Sequence, residues 1–333
     1  VEVHNGSAGS NDMGMDLEIE VTWVNNSSKT GPIAAATTVR ARSFDGSEWS
    51  ALNEATFITA IPANSENLVI SEIFYNPSGP EETSEFIELM NIGDQPISLA
   101  GVAFTRGISF AFPDEATLLP GERILLVSDL AGFEAAFGPG LPVSGVFSGQ
   151  LNNGGEALRI TGRDSLPIQD FRYDDGAPWP TTADGEGFSL TLVGPEVNPD
   201  SGEPASWRAS LLPGGSPGSS DHLPFTGSTA ADLLAYALVD PLNGISASLQ
   251  TLAAGGSLND YLVATVTTNT ATDDAEISVE FSSDLMTWES GSAVYLGESR
   301  ATPEVTLRHW RAPNPVTAAN PLRYARLVLT ARP

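Results

Sequence analysis

The fold is decided by two short segments, Leu68-Val-Ile-Ser-Glu-Ile-Phe-Tyr75 and Glu85-Phe-Ile-Glu-Leu-Met-Asn91. Both are rich in β-branched and aromatic residues and have the length of strands, so they are predicted to be β-strands. Asn76-Pro77, a pair typical of turns, follows the first segment. The two segments are therefore predicted to be adjacent strands.

Further strand candidates follow at short intervals, and they are Arg123–Ser128, Glu156–Thr161, Ile168–Tyr173 and Ser189–Val193. Only Asp129–Phe137 is predicted to be a short helix in this region. Frequent turns are expected because the chain contains 32 Gly and 24 Pro among its 333 residues. Many short strands without strand–helix alternation predict an all-β, antiparallel sandwich rather than a parallel sheet.

The region from about residue 66 to 218 resembles bacterial lamin-tail domains. The matching segments occur in the family's order, and they are Leu68–Pro77, Glu85–Asn91, Ile97–Gly101, Phe110–Pro113, Leu119–Glu122, Leu151–Glu156, Trp179-Pro180, Asp184-Gly185, Ser189-Leu190, Trp207 and Gly215–Gly218. The resemblance implies an immunoglobulin-like β-sandwich. In bacteria such domains occur in secreted or surface proteins, often beside other β modules or hydrolases, without established chemistry of their own.

Residues 1–65 are predicted to form a partial β module. Two strand-like runs, Leu17–Val24 and Thr38–Arg42, lie within them. The segment Val39–Phe57 resembles the final hairpin of fibronectin-like or chitobiase-like modules. A whole sandwich of this type typically needs about 100 residues, so this module is expected to be truncated.

Residues 225–333 are predicted to form a C-terminal β-rich module with one short helix. A Gly-, Ser- and Pro-rich linker, Ser216–Pro224, precedes it. The predicted elements are a helix at Thr229–Val239 and strands at Tyr261–Thr267, Ile277–Ser282 and Arg323–Thr330. The region resembles the C-terminal module of secreted proteins from Verrucomicrobia and related bacteria, but it lacks the aspartate-rich loop that usually precedes the helix in them.

The charge balance excludes a general nucleic-acid-binding role. The chain carries 42 Asp and Glu against 15 Lys and Arg, for a net charge of -27, and its only lysine is Lys29. Nucleic-acid binding depends on cationic side chains that neutralise phosphates. No apolar run approaches the roughly 20 residues of a membrane helix, so membrane insertion is not expected. From Arg300 to Pro333 there are six arginines and one acid, Glu304, and this basic end is interpreted either as a solvated strand face or as a contact for an acidic neighbour.

No motif predicts an enzymatic centre. Cysteine is absent, which excludes disulfides, thiolate nucleophiles and Cys-ligated zinc. The three histidines, His4, His222 and His309, lie far apart in the sequence and form no two-His zinc motif. Neither a Gly-x-Ser-x-Gly elbow nor a phosphate-binding Gly-Lys-Ser/Thr loop occurs. No cofactor is therefore required by the sequence.

Acidic residues provide the one candidate metal site. Asp174, Asp175, Asp184 and Glu186 surround Trp179-Pro180 and could hold calcium, which takes six to eight oxygen ligands. The same residues could instead form turns, since Asp175-Gly176 and Asp184-Gly185 suit hairpins. Both interpretations stay open at this point.

Two further groups of residues bear on ligand binding and catalysis. Trp179 is the candidate ligand-binding residue, because exposed tryptophans stack on sugars; core packing is the alternative. A second acidic group, Glu72, Glu85 and Glu88, comes from adjacent predicted strands. Glu85 and Glu88 are expected to face opposite sides of their strand, so these two cannot form a simple carboxylate dyad.

The resulting functional hypothesis is a secreted or cell-surface, non-enzymatic multi-module protein of bacterial type with an adhesive, scaffolding or structural role. Its partner would be a surface protein or a glycan. The alternative is a carbohydrate- or ligand-binding accessory region of a larger extracellular hydrolase.

Overall fold

The structure, a computed structural model, describes residues 2–3, 21–22, 28–29, 37–41, 50–51, 53–57, 60–78 and 83–332. The chain divides into two compact units at the Ile61–Pro62 bond. In the described part of the first unit the strands are β1 (Glu2–Val3), β2 (Val21–Thr22), β3 (Ser28–Lys29), β4 (Thr37–Ala41) and β5 (Asn53–Phe57). Strand β2 pairs with β1 and β3, and β4 pairs with β5, all antiparallel.

Most of the predicted partial fibronectin-like module lies outside the described residues. Of the predicted run Leu17–Val24, only Val21–Thr22 is described, and it is a strand. The run Thr38–Arg42 corresponds to β4, apart from Arg42, which also lies outside the described residues.

From strand β6 (Ile61–Pro62), within which the division between the two units falls, the chain continues with a series of short strands and one helix. The strands are β6 (Ile61–Pro62), β7 (Leu68–Phe74), β8 (Phe86–Asn91), β9 (Ile97–Ser98), β10 (Ala103–Arg106), β11 (Phe110–Ala111), β12 (Thr117–Leu118), β13 (Arg123–Val127), β14 (Val143–Val146), β15 (Ala157–Thr161), β16 (Pro167–Arg172), β17 (Leu190–Leu192) and β18 (Trp207–Ala209). Helix α1 (Leu130–Phe137) follows β13, and its first turn is capped by the Asp129 side chain. Short 3-10 helices lie at Thr181–Ala183, Pro195–Val197 and Pro204–Ser206.

These strands form the predicted immunoglobulin-like sandwich. One sheet has six strands in the order β14-β13-β8-β7-β17-β18, and the other has four in the order β11-β10-β15-β16. Side chains from both sheets meet in one core, for example Ile73 and Leu89 from the first sheet and Phe104 and Ile160 from the second. The all-β prediction is confirmed.

The other face of the six-stranded sheet is also covered, and we call it the outer face. Phe74, Phe86, Leu125 and Val127 project from it and pack against Phe133 of α1. Aromatic rings make edge contacts there, with the centroids of Phe86 and Phe133 5.9 Å apart. Because this face is buried, polar side chains on it need partners within the protein.

The C-terminal module packs a larger sheet against a smaller one. Its elements are α2 (Ala230–Ala237), β19 (Ile245–Ala254), β20 (Ser257–Asn269), β21 (Ala275–Ser282), β22 (Val294–Thr302), β23 (Val305–Arg311) and β24 (Tyr324–Ala331). The sheets have the strand orders β19-β20-β23-β22 and β21-β24. Leu233 of α2, Val266 and Phe281 belong to one core between them. None of the helices in the described residues is long and apolar enough to cross a membrane.

The sandwich and the C-terminal module lie in the same compact unit, from Pro62 onward. The sequence-based division at Gly218 and the linker stays a prediction.

Candidate functional site

The acidic residues around Trp179 make local and pairwise contacts. The Gly176 amide donates to Asp174 Oδ1 at 3.2 Å, and Arg172 Nε lies 3.6 Å from Asp174 Oδ2. Asn76 Nδ2 donates to Asp184 Oδ1 at 2.6 Å, and Glu186 is exposed. The bond from Gly176 to Asp174 lowers the pKa of Asp174 and is of the kind expected for a turn former.

The geometry lends the calcium prediction no support. Within the described ranges, no three His, Asp or Glu side chains come together so that they could hold a metal ion. Calcium binding by Asp174, Asp175, Asp184 and Glu186 therefore stays a prediction from the sequence, and the turn interpretation is the one that the Asp174 contact favours.

Trp179 belongs to the sandwich core. Its side chain is only 6% exposed, and its ring centroid lies 6.2 Å from that of Trp207. Trp207 stacks on Phe171 and donates from Nε1 to the Ser201 carbonyl at 2.9 Å. A sugar-stacking platform needs an exposed ring face, which Trp179 lacks, so its burial favours packing over the predicted ligand-binding role.

One histidine meets a hydroxyl and a carboxylate, but the arrangement is not that of a catalytic triad. Ser220 Oγ lies 2.7 Å from His222 Nδ1, and Asp274 Oδ1 lies 4.0 Å from His222 Nε2. The Ser220 contact joins residues two apart in an exposed segment, and Asp274 Oδ2 accepts from the Phe225 amide at 2.6 Å. His309 lies beside Thr265 Oγ1 at 3.1 Å on neighbouring strands, and His4 lies outside the described residues.

The outer face carries a buried carboxylate pair that a regular strand would not have formed. Pairing of β7 with β8 shifts register between Ile70 and Glu72, which places Glu72 directly opposite Glu88. Before this bulge Ile70 faces the sandwich core, and after it Ile73 does. In a regular strand, Glu72 would point into the apolar core on the same side as Ile70. The bulge instead places the Glu72 side chain on the outer face.

Both carboxyl groups are fully engaged by donors. Glu72 Oε1 accepts from Ser189 Oγ at 2.5 Å and from the Ser216 amide at 2.9 Å, and Ser216 Oγ donates to Oε2. Glu88 Oε1 accepts from Arg123 and Ser71, while the Gly218 amide donates to Oε2 at 2.7 Å. The segment Gly215–Gly218 is thus held on the sheet by the two glutamates, which are at most 1% exposed.

Burial perturbs the titration of this pair. Desolvation, followed by the charge of Glu88, raises the pKa of Glu72 from 4.5 to about 8. Burial also raises the pKa of Glu88, although Arg123 opposes this effect. The two side chains have no exposed surface through which a substrate could reach them, so their role in this geometry is structural.

We expect the free energy of unfolding to fall as pH rises from about 4.5 to about 8, and Glu72→Gln to flatten this dependence. In this range the folded state holds a proton on Glu72 that the unfolded chain has released, so raising the pH favours unfolding. Glutamine keeps a carbonyl acceptor for Ser189 and Ser216 and does not titrate. Urea titrations at several pH values measure the effect.

The control for this prediction is Glu134→Gln, which changes an exposed glutamate on α1 and should keep the wild-type pH dependence. If the free energy of unfolding depended on pH in the same way in Glu72→Gln and in the wild type, the assignment of the buried proton to Glu72 would be contradicted.

A second buried charge network joins the sandwich to the C-terminal module through Arg208. This residue lies on the outer face of the edge strand β18 and is 1% exposed. Its Nε and one terminal nitrogen bind the two oxygens of Asp273, each at 2.7 Å. Asp221 Oδ1 accepts from the guanidinium at 2.5 Å, and Asp221 Oδ2 accepts from the Leu211 amide. A bidentate, charge-assisted pair of this kind fixes both distance and orientation.

The pKa shifts agree with this arrangement. Burial alone would lower the pKa of Arg208, but the charges and hydrogen bonds of Asp273 and Asp221 outweigh it and raise the value. Burial alone would raise the pKa of Asp221, and the interaction with Arg208 outweighs it and lowers the value. The cation and Asp221 therefore stabilise each other's charged forms.

Strand β22 of the C-terminal module covers the backbone of Ala209, Ser210 and Leu211, which lie at the end of β18, the edge strand of the six-stranded sheet. Arg300 donates to the carbonyls of Ala209, Ser210 and Leu211, at 2.6 Å for Ser210, and the Ala209 amide donates to Glu298 Oε1 at 3.2 Å. The Arg300 guanidinium also lies over the Phe188 ring, 5.0 Å from its centroid. Side chains of the C-terminal module thus bond the free backbone amide and carbonyl groups at the sandwich edge. Edge strand β18 is therefore blocked there from pairing with further strands.

The arginine-rich end is used largely inside the protein. Besides Arg300, Arg308 pairs with Glu298 and Arg326 pairs with Glu280 and lies over Trp288. Arg311 lies over the Tyr261 ring, 4.5 Å from its centroid. This basic segment therefore meets acidic and aromatic neighbours within its own chain.

Sequence reasoning did not single out Arg208, Asp221 or Asp273. A single arginine between Trp207 and Ala209 indicates only that a strand places a charge on the opposite face. Its partners lie 13 and 65 residues away, and no periodic signal links them.

Comparison with known families agrees with the sandwich assignment. Residues 61–166 match the family model described as Lamin Tail Domain. No curated protein and no solved structure matches the chain. Strands β16, β17 and β18 lie beyond the matched residues but complete the two sheets of the sandwich. Residues 61–166 are therefore similar to a lamin tail domain.

Proposed function

We propose that the chain is a non-enzymatic part of a secreted or cell-surface bacterial protein, with an adhesive, scaffolding or structural role. The observation that carries this proposal is the burial of Arg208 between Asp221 and Asp273. Interfaces between domains of one chain are often polar and mobile. A buried bidentate junction instead favours a fixed arrangement, which is what a scaffold that presents its loops to partners requires.

The buried polar groups support the same role. Glu72, Glu88, Arg123 and Arg208 are engaged in holding backbone segments and modules together. A catalytic carboxylate or arginine needs access to a substrate. The alternative of a carbohydrate-binding accessory region gains little here, because Trp179 packs in the core.

We expect the sandwich and the C-terminal module to unfold together. Hydrogen exchange followed by mass spectrometry, in urea concentrations near the midpoint, should show peptides from β7–β8 and from β20–β21 exchanging in one correlated event. This result is expected because the Arg208 junction couples the two parts. Independent exchange of the two sets of peptides would contradict the scaffold proposal.

The control for ligand-based alternatives uses the same preparation of the full chain. A glycan array and a hydrolase substrate screen, each with added calcium, are expected to show no saturable binding and no turnover. Saturable glycan binding would favour the accessory-region alternative.

The proposed surface location is tested separately, by antibody labelling of intact cells.

A further inference from the structure

A segment that we call the strap, Leu211–Asp221, follows β18 and lies on the outer face. The ends of the strap are tied to each other, because the Leu211 amide donates to Asp221 Oδ2 at 2.5 Å. Asp221 Oδ1 also binds the Arg208 guanidinium. A compact surface loop with joined ends is an Ω-loop. Both ends are therefore anchored at the Arg208 junction, which confines any opening of the strap to its middle.

The middle of the strap is held on the sheet by the two buried glutamates. The Ser216 amide donates to Glu72 Oε1 at 2.9 Å, and the Gly218 amide donates to Glu88 Oε2 at 2.7 Å. Because these bonds join backbone groups directly to carboxyl groups, the charge of the carboxyl groups acts on the strap itself. The exchange of each amide proton also reports whether its own contact is formed.

Apolar packing contributes little to holding the strap. Eight of its eleven residues are small or turn-forming, namely three Gly, three Ser and two Pro, and Leu212 is 61% exposed. Besides the two bonds to the glutamates, the Gly214 amide donates to the Gly187 carbonyl at 2.6 Å. Segments with few buried apolar contacts open locally at a lower free energy than the core. The strap is therefore suited to opening while the sheet beneath it stays folded.

The described residues place one cation, and not two, on the glutamate pair. Arg123 donates to Glu88 Oε1 at 2.6 Å, whereas the groups that donate to Glu72, the two serine hydroxyls and the Ser216 amide, are all neutral. The two glutamates lie directly opposite each other on neighbouring strands. Buried like charges at that spacing disfavour each other, so the pair retains a proton while the strap is closed. Burial and the charge of Glu88 accordingly raise the pKa of Glu72 to about 8.

The other charged groups of the elements around the pair have contacts of their own. These are Arg208 with Asp221 and Asp273, Arg300 with the carbonyls of Ala209, Ser210 and Leu211, Glu298 with Arg308, Asp129 with the Gly132 amide, and His222 with Asp274. Strand β17 meets Glu72 with the uncharged Ser189 and Thr191, and on α1 Phe133 meets the outer face while Glu134 is exposed. Within the described part of the chain, the glutamates are the titratable groups that bind the backbone in the middle of the strap.

We propose that the strap is a pH-dependent lid, whose middle lifts from the outer face when the glutamate pair loses its proton, while its ends stay anchored at the Arg208 junction. Lifting exposes Glu72 to water, where the carboxyl group is ionised above its ordinary pKa of 4.5. The closed strap keeps the proton up to about pH 8, so opening releases one proton between these two values. Each rise of one pH unit in this range therefore favours the open strap by about tenfold. In a scaffold with fixed modules, the lid is a segment that moves.

Amide hydrogen exchange of the full chain, followed by NMR between about pH 6 and pH 8, tests the lid. Exchange is catalysed by hydroxide, which by itself accelerates it about tenfold per pH unit. The Ser216 and Gly218 amides should instead accelerate about 100-fold per pH unit, because the opening equilibrium contributes a second factor of about ten. An acceleration of only about tenfold would show that opening releases no proton, and it would overturn the proposal.

Glu72→Gln is the decisive variant, since glutamine keeps an acceptor for the Ser216 amide and carries no titrating proton. Its Ser216 and Gly218 amides should accelerate about tenfold per pH unit, whatever their absolute rates. The pH dependence is thus read independently of how firmly the variant holds the strap. Glu134→Gln, at an exposed position on α1, should keep the wild-type dependence. If Glu72→Gln also kept it, the released proton would belong to another group and the proposal would be wrong.

Low concentrations of urea show whether the opening is local. Lifting the strap exposes little surface, so exchange of the Ser216 and Gly218 amides should hardly respond to urea. The amide of Leu89, a buried residue of the central strand β8, exchanges when the sheet unfolds and should accelerate steeply. If all three amides accelerated equally, the strap would open only by global unfolding, and the lid would be excluded.

Discussion

Replacement of Arg208 by methionine is expected to reduce the free energy of unfolding by about 3–5 kcal/mol, the usual cost of removing one partner from a buried ion pair. Methionine fills much of the same volume, but it leaves Asp221 and Asp273 without a counter-charge at 11% and 5% side-chain exposure. Urea denaturation at neutral pH measures the loss. We also expect the single unfolding transition to separate into two, because the junction between the modules is broken.

The effect should depend on pH in a defined direction. Because the pKa of Asp221 is lowered in the folded protein, its contribution is present above the unfolded value near 4 and is lost as pH falls through the folded value. The difference between wild type and Arg208→Met should therefore shrink in acid. Replacing both acids as well, in Arg208→Met/Asp221→Leu/Asp273→Leu, should recover much of the stability.

The matched control is Arg159→Met. Arg159 also pairs with an aspartate, Asp170, but both side chains are about one third exposed. Such a pair contributes about 1 kcal/mol or less. If Arg208→Met were no more destabilising than Arg159→Met, the junction would have little energetic role, and the scaffold proposal would lose its main support.

Local pattern was sufficient to predict the main strands of the sandwich. The prediction Arg123–Ser128 corresponds to β13, and the helix predicted from Asp129 begins one residue later because Asp129 caps it. Strand β19 was not predicted, although Ile245, Ala247 and Leu249 alternate with the polar residues Ser246, Ser248 and Gln250. The small side chains of Ala247 and of the two serines make this pattern weak, and the Gly255-Gly256 turn is the clearer signal of the ten pairs with β20.

The candidate site was harder to predict because it depends on irregularity and long-range contact. A regular strand would turn Glu72 towards the same side as Ile70, and only the bulge brings it opposite Glu88. The sequence placed Glu72 and Glu88 in one acidic group on adjacent predicted strands, but the expectation about opposite sides concerned only Glu85 and Glu88. Likewise, the role of Arg208 as a buried junction depends on Asp221 and Asp273, which are distant in sequence and are brought to it by tertiary packing. The acidic cluster at 174–186, by contrast, was predicted as a metal site because its members are close in sequence. Closeness in sequence alone does not bring several side chains to within coordination distance of one ion.

Gly215→Ala should be as damaging as a large core substitution, with a loss of about 3 kcal/mol or more. Gly215 has φ of 74°, and a Cβ there would overlap Glu72 Oε1 and lie 2.8 Å from Ser189 Oγ. The left-handed backbone costs alanine about 1–2 kcal/mol, and overpacking against a buried carboxyl adds about 1–3 kcal/mol. Gly121→Ala separates these contributions, because Gly121 has φ of 72° but nothing within 4 Å of its Cβ position.

A double-mutant cycle then attributes the remaining loss to the Glu72 carboxyl. Glu72→Ala removes the group that the new methyl would strike, so Gly215→Ala should cost much less in that background than in the wild type. The residual cost should approach that of Gly121→Ala, measured in the same urea titrations. Strict additivity of the two substitutions would mean that Gly215–Gly218 does not need the close approach to Glu72, and the buried glutamate pair would then not be what holds this segment on the sheet.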